Sequence, residues 1–174
     1  LILILDISGS MADHSRSLLQ FAHTAKHAAT KVEVFCFGTR LTRISKALDH
    51  RRPDRALEAA ARAVFDWEGG TRIGDCLDAF IREWGRRGMA RGGIVVICSD
   101  GLDRGDPATL AAAMQRLSQL SYRVVWMNPH GGAQPGTVPA AVGMLAAEPH
   151  IDLLLPGRDL GSLEKLAALL PALN

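Results

Sequence analysis

Three oxygen-bearing side chains, Asp6, Ser8 and Ser10, alternate along the chain directly after an apolar run, residues 1–5. Residues two apart in an extended chain point to the same side, so these three side chains should converge. One carboxylate and two hydroxyls suit a hard cation such as Mg²⁺, Mn²⁺ or Ca²⁺, and the neutral hydroxyls would leave most of its charge uncompensated. The pattern therefore predicts a metal site that would still attract an anion.

The apolar run LILIL must position these side chains. It is too short to cross a bilayer and rich in branched residues, which favours a strand buried on both faces, as in a parallel sheet. In open α/β sheets, ligands collect beyond the carboxyl ends of the strands. The acid and the two serines are therefore expected at the functional edge of the sheet.

The pattern Asp6-x-Ser8-x-Ser10 resembles the first part of the metal-ion-dependent adhesion site of von Willebrand factor A (VWA) domains. That family also supplies a threonine from a second loop and an aspartate from the end of a later buried strand. Thr71 and Asp100 match in residue type, order and local setting. The resemblance implies that the serines, and in one state Thr71, coordinate the ion directly, while the two aspartates often act through water. The alternative is that these side chains only cap polar turns.

Strand and helix patterns alternate along the chain. Strands are predicted at 1–5, 32–37, 94–98, 123–127 and 151–155, and a short antiparallel edge strand at 41–44. Helices are predicted at 13–29, 53–65, 138–147, from Ile73 to the glycines Gly85 and Gly88, from Pro107, and after Asp159. The alternation predicts a doubly wound, mostly parallel α/β sheet with helices on both faces, the Rossmann-like fold that the VWA resemblance also implies.

Some details of the helices are also expected. Asp13, Asp106 and Asp159 should cap helix starts, and the buried stripes should include Ala61 and Ala167. Two histidines four residues apart, His23 and His27, superficially resemble part of a zinc-protease helix, but Thr24 stands where that motif requires glutamate. Solvated histidines are the expectation.

Composition limits the alternatives. The 174 residues are 48% hydrophobic and 22% charged, as expected for one globular domain covering 1–174, which we take to be a piece of a longer protein. The net charge of +2 is too small to argue for nucleic acid or membrane. The three cysteines include no Cys-x-x-Cys motif and are expected to be reduced core residues. No signal peptide or membrane span is found, which favours the cytoplasm.

A basic stretch between residues 40 and 55 holds six cations and no aromatic residue for base stacking, which disfavours nucleic acid. Its ordinary interpretation is a solvated edge, and the alternative is docking to an acidic protein surface through Arg51 and Arg52. Trp67, just before the threonine loop, is expected in the core, with a partner anchor as the alternative. Asp103, beside the third ligand loop, is a further docking candidate.

Four segments narrow the resemblance: SDGLDRGDP at 99–107, VWMNP at 125–129, GM at 143–144 and IDLLLP at 151–156. They are similar to the CoxE-like branch of VWA proteins. That branch implies a bacterial protein acting beside a MoxR-type AAA+ ATPase in maturing the metal centre of carbon monoxide dehydrogenase or a related enzyme. Nothing in the spacing of residues names the client enzyme.

Three functions remain open at this stage. The leading hypothesis is a non-catalytic interaction module whose Mg²⁺, with Mn²⁺ or Ca²⁺ as alternatives, binds an Asp or Glu carboxylate of a protein partner. The second is a metal-dependent hydrolase or phosphatase, but Ser8 replaces the second acid that haloacid-dehalogenase-type phosphatases need, and the loops offer only Asp103 or Asp106 as a general base. The third is a metal-free scaffold. Nucleotide-binding glycine motifs are absent.

Overall fold

The computed structural model describes residues 1–29, 31–64, 70–130, 141–157 and 160–169. The strands are β1 (Ile2–Asp6), β2 (Glu33–Phe37), β3 (Leu41–Arg43), β4 (Ile94–Cys98), β5 (Arg123–Asn128) and β6 (Leu153–Pro156). The helices are α1 (Ala12–Ala28), α2 (Pro53–Ala63), α3 (Ile73–Phe80, continued by a π-helical segment Ile81–Met89), α4 (Pro107–Leu120), α5 (Val142–Ala147) and α6 (Leu160–Leu169). Single 3-10 turns occupy Gly9–Met11, Ala47–Asp49 and Glu148–His150.

These strands form one six-stranded sheet in the order β3-β2-β1-β4-β5-β6. Strands β1, β2, β4, β5 and β6 pair in parallel, and β3 pairs antiparallel with β2 at the edge. The predicted mostly parallel sheet with an antiparallel edge strand is thus confirmed. Strand β1 lies in the middle, and the chain winds away from it in both directions, as in doubly wound folds.

Each face of the sheet carries its own apolar core because side chains alternate along the strands. Leu3 and Leu5 of β1 pack with α1, α2 and α6. Ile2 and Ile4 pack with α3, α4 and α5 on the other face. All four side chains are essentially inaccessible to solvent. An apolar run without alternation is therefore what a strand covered by helices on both faces requires.

Two sequence predictions about where helices begin and end are wrong. Asp13 does not cap α1, because Met11 precedes the helix and Asp13 lies in its first turn. Gly85 does not end α3: the backbone stays helical through Arg87, and it leaves the helical conformation at Gly88, which has a φ of +102° and was the second predicted end. A glycine inside a helix costs about 1 kcal/mol, and packing of the buried Gly85 against Phe80 and Ala90 outweighs that local preference.

The buried faces of α2 and α6 include fewer residues than expected. Ala61 of α2 and Ala167 of α6 are exposed, although both were expected inside. Ala56, Ala60 and Val64, spaced by four, already fill the inward stripe of the α2 region. Because alanine tolerates exposure, its presence beside a stripe says little about burial.

His23 is buried, so the expectation of a solvated side chain is wrong there, whereas His27 is exposed as expected. The Nε2 atoms of His23 and His27 lie 2.8 and 3.2 Å from the carbonyl oxygens of His50 and Leu48, respectively. A carbonyl only accepts, so both rings donate from Nε2. The histidines therefore attach the Ala47–Asp49 turn to α1.

Several predictions lie outside the described residues: Trp67, the cap at Asp159, the loop 131–136 and the first residues of the helix predicted at 138–147. Within the described part, that helix begins at Val142, and the strand predicted at 151–155 begins at Leu153. The three cysteines are free and buried, as predicted. Burial raises the pKa of each thiol far above its ordinary value, which keeps the thiols protonated. No described helix has the length and apolar character needed to cross a membrane.

Candidate metal centre

The candidate site lies where the carboxyl ends of β1 and β4 meet. The two strands are parallel neighbours, with Leu5 beside Cys98 in register. The residues that follow, Asp6 on one strand and Ser99 on the other, therefore come together. The chain turns in opposite directions from these two strands, and ligands of doubly wound sheets bind at such a point.

Asp6 is fully buried at the end of β1. Its Oδ1 accepts a bond of 2.9 Å from the backbone N–H of Ser8, and its Oδ2 accepts one of 2.6 Å from the hydroxyl of Ser99. Burial raises the pKa of Asp6 to about 6, although the bonds from Ser99 and Ser8 favour the charged form. A carboxylate held in this way gains from a nearby cation.

The two serines lie on the turn between β1 and α1. The Oγ atoms of Ser8 and Ser10 are 3.1 Å apart. The backbone N–H of Met11 donates to the Ser8 carbonyl at 2.9 Å, and the Met11 side chain is buried in the core. This anchor keeps the two hydroxyls side by side at the edge of the sheet.

Asp100 follows β4 and is also buried. Its Oδ1 accepts from the backbone N–H of Leu102 at 2.9 Å, and Asn128 donates to its backbone carbonyl at 3.3 Å. No hydrogen-bond donor among the described residues reaches its buried Oδ2. Buried polar atoms are rarely left without a partner, so this oxygen indicates a place for water or an ion.

The first loop is 7–11, the described part of the second is 70–72, and the third is 99–106. Thr71 is buried on the second loop, which the third loop holds in place. The backbone N–H of Arg104 donates to the Thr71 carbonyl at 2.9 Å. The carboxylate of Asp103 accepts from the backbone N–H groups of Ile73 at 3.0 Å and Gly74 at 3.4 Å, and also from Gly105 at 2.9 Å. Asp103 therefore accepts from N–H groups at the start of α3 that have no partner within the helix, and it joins the two loops.

A cleft of about 440 Å³ opens between the three loops. The hydroxyl-bearing residues Ser8, Ser10 and Thr71 are among its lining residues, and Asp6 and Asp100 are buried next to them in the chain or in the sheet. Within the described part of the chain, no three His, Cys, Asp or Glu side chains cluster closely enough to hold an ion. An ion in this cleft would therefore depend on hydroxyl oxygens, a donor set that suits a hard cation.

The structure thus brings Asp6, Ser8, Ser10, Thr71 and Asp100 to one edge of the sheet. Asp103 also borders the cleft, with its carboxylate bound to backbone N–H groups. Arg51 and Arg52 are exposed and are not part of the cleft lining. They stay docking predictions, as does Trp67, which lies outside the described residues.

Sequence reasoning missed the role of Ser99, whose hydroxyl links the two halves of the site. It accepts from the backbone N–H of Gly101 at 3.1 Å while it donates to Asp6. The available signal was its position between a buried apolar strand and Asp100, where a hydroxyl needs a buried acceptor. Arg104, which borders the cleft, was also passed over, because nothing in its spacing separates it from other surface arginines.

The family described as "VWA domain containing CoxE-like protein" matches residues 1–163. No curated protein matches the sequence. Among solved structures, the chain is similar to a von Willebrand factor type A protein from Catenulispora acidiphila, with 21% identity, a TM-score of 0.63, and coverage of 94% of this chain and 39% of that one.

Two further structures have the same fold. One is proximal thread matrix protein 1 from the mussel byssus, with a zinc-occupied MIDAS motif (17% identity, TM-score 0.60, covering 99% of this chain and 43% of that one). The other is an aerotolerance-related membrane protein from Bacteroides fragilis (16% identity, TM-score 0.60, covering 99% and 97%). The chain thus spans less than half of the Catenulispora and mussel proteins, and these identities support the fold alone.

Proposed function

The chain belongs to the family of VWA domain containing CoxE-like proteins, and on that premise we propose that it is a protein-interaction module that depends on a divalent cation. VWA domains generally mediate protein–protein interaction. The proposed ion site comprises the residues of the three loops: Asp6, Ser8, Ser10, Thr71 and Asp100.

The buried Oδ2 of Asp100, which no described donor reaches, is the observation that carries this proposal. Asp6 lies across the same edge with its pKa raised by burial, so two carboxylates gain from a positive charge in one place. Ser8, Ser10 and Thr71 line the cleft, and their hydroxyls would hold the cation. Because most of these oxygens are neutral, a bound Mg²⁺ or Mn²⁺ would supply a Lewis-acidic site for an Asp or Glu carboxylate of a partner.

A non-catalytic role fits the two acids that the loops offer as general bases. The carboxylate of Asp103 accepts three backbone N–H bonds, and Asp106 caps α4 by accepting from Ala108 at 2.9 Å. Both acids thus have structural duties. No observation on the described residues favours the hydrolase alternative.

The proposal of a specific partner and pathway rests on the resemblance to the CoxE-like branch. We infer that the domain, as one unit of a longer protein, works with a MoxR-type AAA+ ATPase in maturing the metal centre of carbon monoxide dehydrogenase or a related enzyme. The free, buried cysteines fit the reducing cytoplasm. Copurification with an ATPase encoded beside this gene, with and without a chelator, would test this part.

Calorimetry with Mg²⁺ and Mn²⁺ tests the ion site. The protein should bind one ion, and Asp6→Ala or Ser10→Ala should remove or strongly weaken the binding. Asp13→Ala, an exposed acid on the first turn of α1, is the matched control and should bind like the parent. Unchanged binding by Asp6→Ala would place the ion elsewhere. Hydrolysis of p-nitrophenyl phosphate that disappears in Asp6→Ala would favour the enzyme alternative instead.

A further inference from the structure

One part of the cleft wall is apolar and exposed. Leu102 is 54% exposed and Val142 is 61% exposed, and both line the cleft. Leu145, one turn after Val142 on α5, is 57% exposed and shares its face. The described residues include five exposed large hydrophobic side chains, and these three lie together. A cluster of exposed apolar side chains beside a polar cleft is typical of an interaction surface.

This apolar wall is held rigidly against the ion-binding loops. A Cβ built on Gly143 of α5 would lie 2.4 Å from the carbonyl oxygen of Gly101. A Cβ on Gly101, which has a φ of +78°, would lie 2.4 Å from Cγ of Met144. The two glycines therefore allow α5 to pack directly on the loop that follows Asp100. The distance from the wall to the ion site is fixed by this backbone contact.

One cation borders the same cleft. The side chain of Arg104 lies across Gly70, since a Cβ there would be 2.5 Å from its Cδ and 2.9 Å from its Nε. Its backbone N–H donates to the Thr71 carbonyl, which holds the backbone of Arg104 beside the second loop. In the described part of the chain, no carboxylate forms an ion pair with it. Its charge is thus available to an incoming anion.

We propose that the cleft binds a protein segment in which an Asp or Glu stands next to a large apolar residue. The carboxylate lies between the ion and the guanidinium of Arg104, and the apolar side chain packs on Leu102 and Val142. This inference rests on the proposed function, because it names the partner chemistry for the same site. An Arg fork matches the two oxygens of a carboxylate, which makes Arg104 a determinant of specificity in addition to the ion.

The surface fits a protein segment better than a free carboxylate. A small acid would fill the polar side of the cleft and leave Leu102, Val142 and Leu145 exposed to water. A segment with an apolar neighbour covers this wall as well, and removing apolar surface from water favours binding. One chain segment would therefore both pair with the positive charge of the cleft and cover its apolar wall.

An array of immobilised peptides in one Gly-Ser frame, with two adjacent positions varied through all residue pairs, tests this preference in Mg²⁺. Pairs of Asp or Glu with Leu, Ile, Val, Met or Phe should bind most strongly. Equal binding of acidic pairs with Ser or Gly would overturn the apolar contribution. Acetate or succinate that competes as well as the best peptide would overturn docking of a protein segment.

Fluorescence titration with the best peptide of the array then tests the residues. Arg104→Gln should weaken binding by about tenfold, because a charge-assisted hydrogen bond is lost. Val142→Ser should lower binding to that of the acidic peptide with Ser as neighbour. Arg62→Gln on α2 and Leu154→Ser on β6, two exposed positions away from the cleft lining, are matched controls and should bind like the parent.

Calorimetry with Mg²⁺ on each variant distinguishes a failure of this inference from a failure of the proposed function. A parent protein that binds Mg²⁺, with an Arg104→Gln variant that binds the peptide unchanged, would overturn this inference and leave the proposed function standing. A parent protein that binds peptide equally well in a chelator, or that does not bind Mg²⁺, would overturn the proposed function itself.

Discussion

The cleft and the basic stretch between residues 40 and 55 are both rich in polar side chains but use them differently. At the cleft, Asp6, Thr71 and Asp100 are buried, and backbone N–H groups or neighbouring loops fix each of them. In the basic stretch, Arg51 and Arg52 are exposed. Buried polar groups in a fixed arrangement lose little freedom when they bind, whereas exposed charges are screened and mobile. Burial at strand ends, and not the density of charge, therefore distinguishes the candidate site.

The rigidity of the cleft gives the largest expected effect. Gly101→Ala should destabilise the protein by about 3 kcal/mol, because alanine is strained at a positive φ and its Cβ would collide with Met144. Urea unfolding measures the loss. Gly9→Ala is the matched control in the first loop, where nothing lies within 4 Å of the added Cβ, and it should change stability by less than about 0.5 kcal/mol. Equal effects would mean that the cleft is no more rigid than an ordinary surface loop.

The buried charge of Asp6 should make the metal-free protein less stable at neutral pH. The pKa of Asp6 is raised from 3.8 to about 6 by burial, so the folded state holds this proton more tightly than the unfolded state. Stability from this group is greatest below pH 4, falls as the pH rises from about 4 to about 6, and then stays low. A shift of about two units corresponds to a loss of up to about 3 kcal/mol at pH 7.

Urea unfolding of the parent and of Asp6→Asn in a chelator, at pH 5 and pH 7, checks this sign. The stability of the parent relative to Asp6→Asn should be higher at pH 5 than at pH 7. Other titrating groups are common to both proteins and cancel in the difference. A parent that loses stability relative to the variant at pH 5 would contradict the account.

The link between the second and third loops should have a smaller effect. Asp103→Ala removes the acceptor for backbone N–H groups at the start of α3 and should cost about 1–2 kcal/mol, as for a lost helix cap. It should also weaken Mg²⁺ binding, because Thr71 loses its support. Asp106→Ala removes the cap of α4 and should lose similar stability while its Mg²⁺ affinity stays unchanged. Equal Mg²⁺ affinities in the two variants would refute the positioning role of Asp103.

The basic stretch should show the smallest effect on folding. Exchanging Arg51 and Arg52 for glutamate should change stability by less than about 0.5 kcal/mol, since both side chains are exposed. If this stretch docks an acidic surface, association should slow mainly at low salt, because exposed charges are screened over about 8 Å at physiological ionic strength. Stopped-flow association at two salt concentrations, with an ATPase obtained by the copurification described above, measures this. A large loss of stability would show that the arginines are structural.

The sequence predicted the sheet well because strands buried on both faces leave an unmistakable apolar run, as at β1 and β4. The cap of α4 was also predictable, since Asp106 and Pro107 are adjacent and act locally. Gly85 was mistaken for a helix end because its role depends on packing against Ala90, which no local pattern encodes.

In the candidate site, too, local sequence patterns predicted some residues, whereas others depend on tertiary contacts. Asp6, Ser8 and Ser10 follow one strand, so spacing alone was enough to group them. The bond from Ser99 to Asp6 joins residues 93 positions apart, and it forms only because β1 and β4 are neighbours in the sheet. The orientation of Arg104 over Gly70 and the packing of α5 on the third loop likewise depend on tertiary contacts. Thr71 and Asp100 were therefore predicted only through the family resemblance, and Ser99 and Arg104, which no motif marks, were missed.

The most direct test of the account is a crystal structure of the protein soaked in Mn²⁺, with anomalous diffraction used to locate the ion. The account predicts one strong peak in the cleft, within bonding distance of the hydroxyls of Ser8 and Ser10 and in front of Asp6 and Asp100. Crystals of Asp6→Ala should lack it. A cleft without a peak at saturating Mn²⁺, or a peak that persists in Asp6→Ala, would contradict the central claim that these three loops form a cation site.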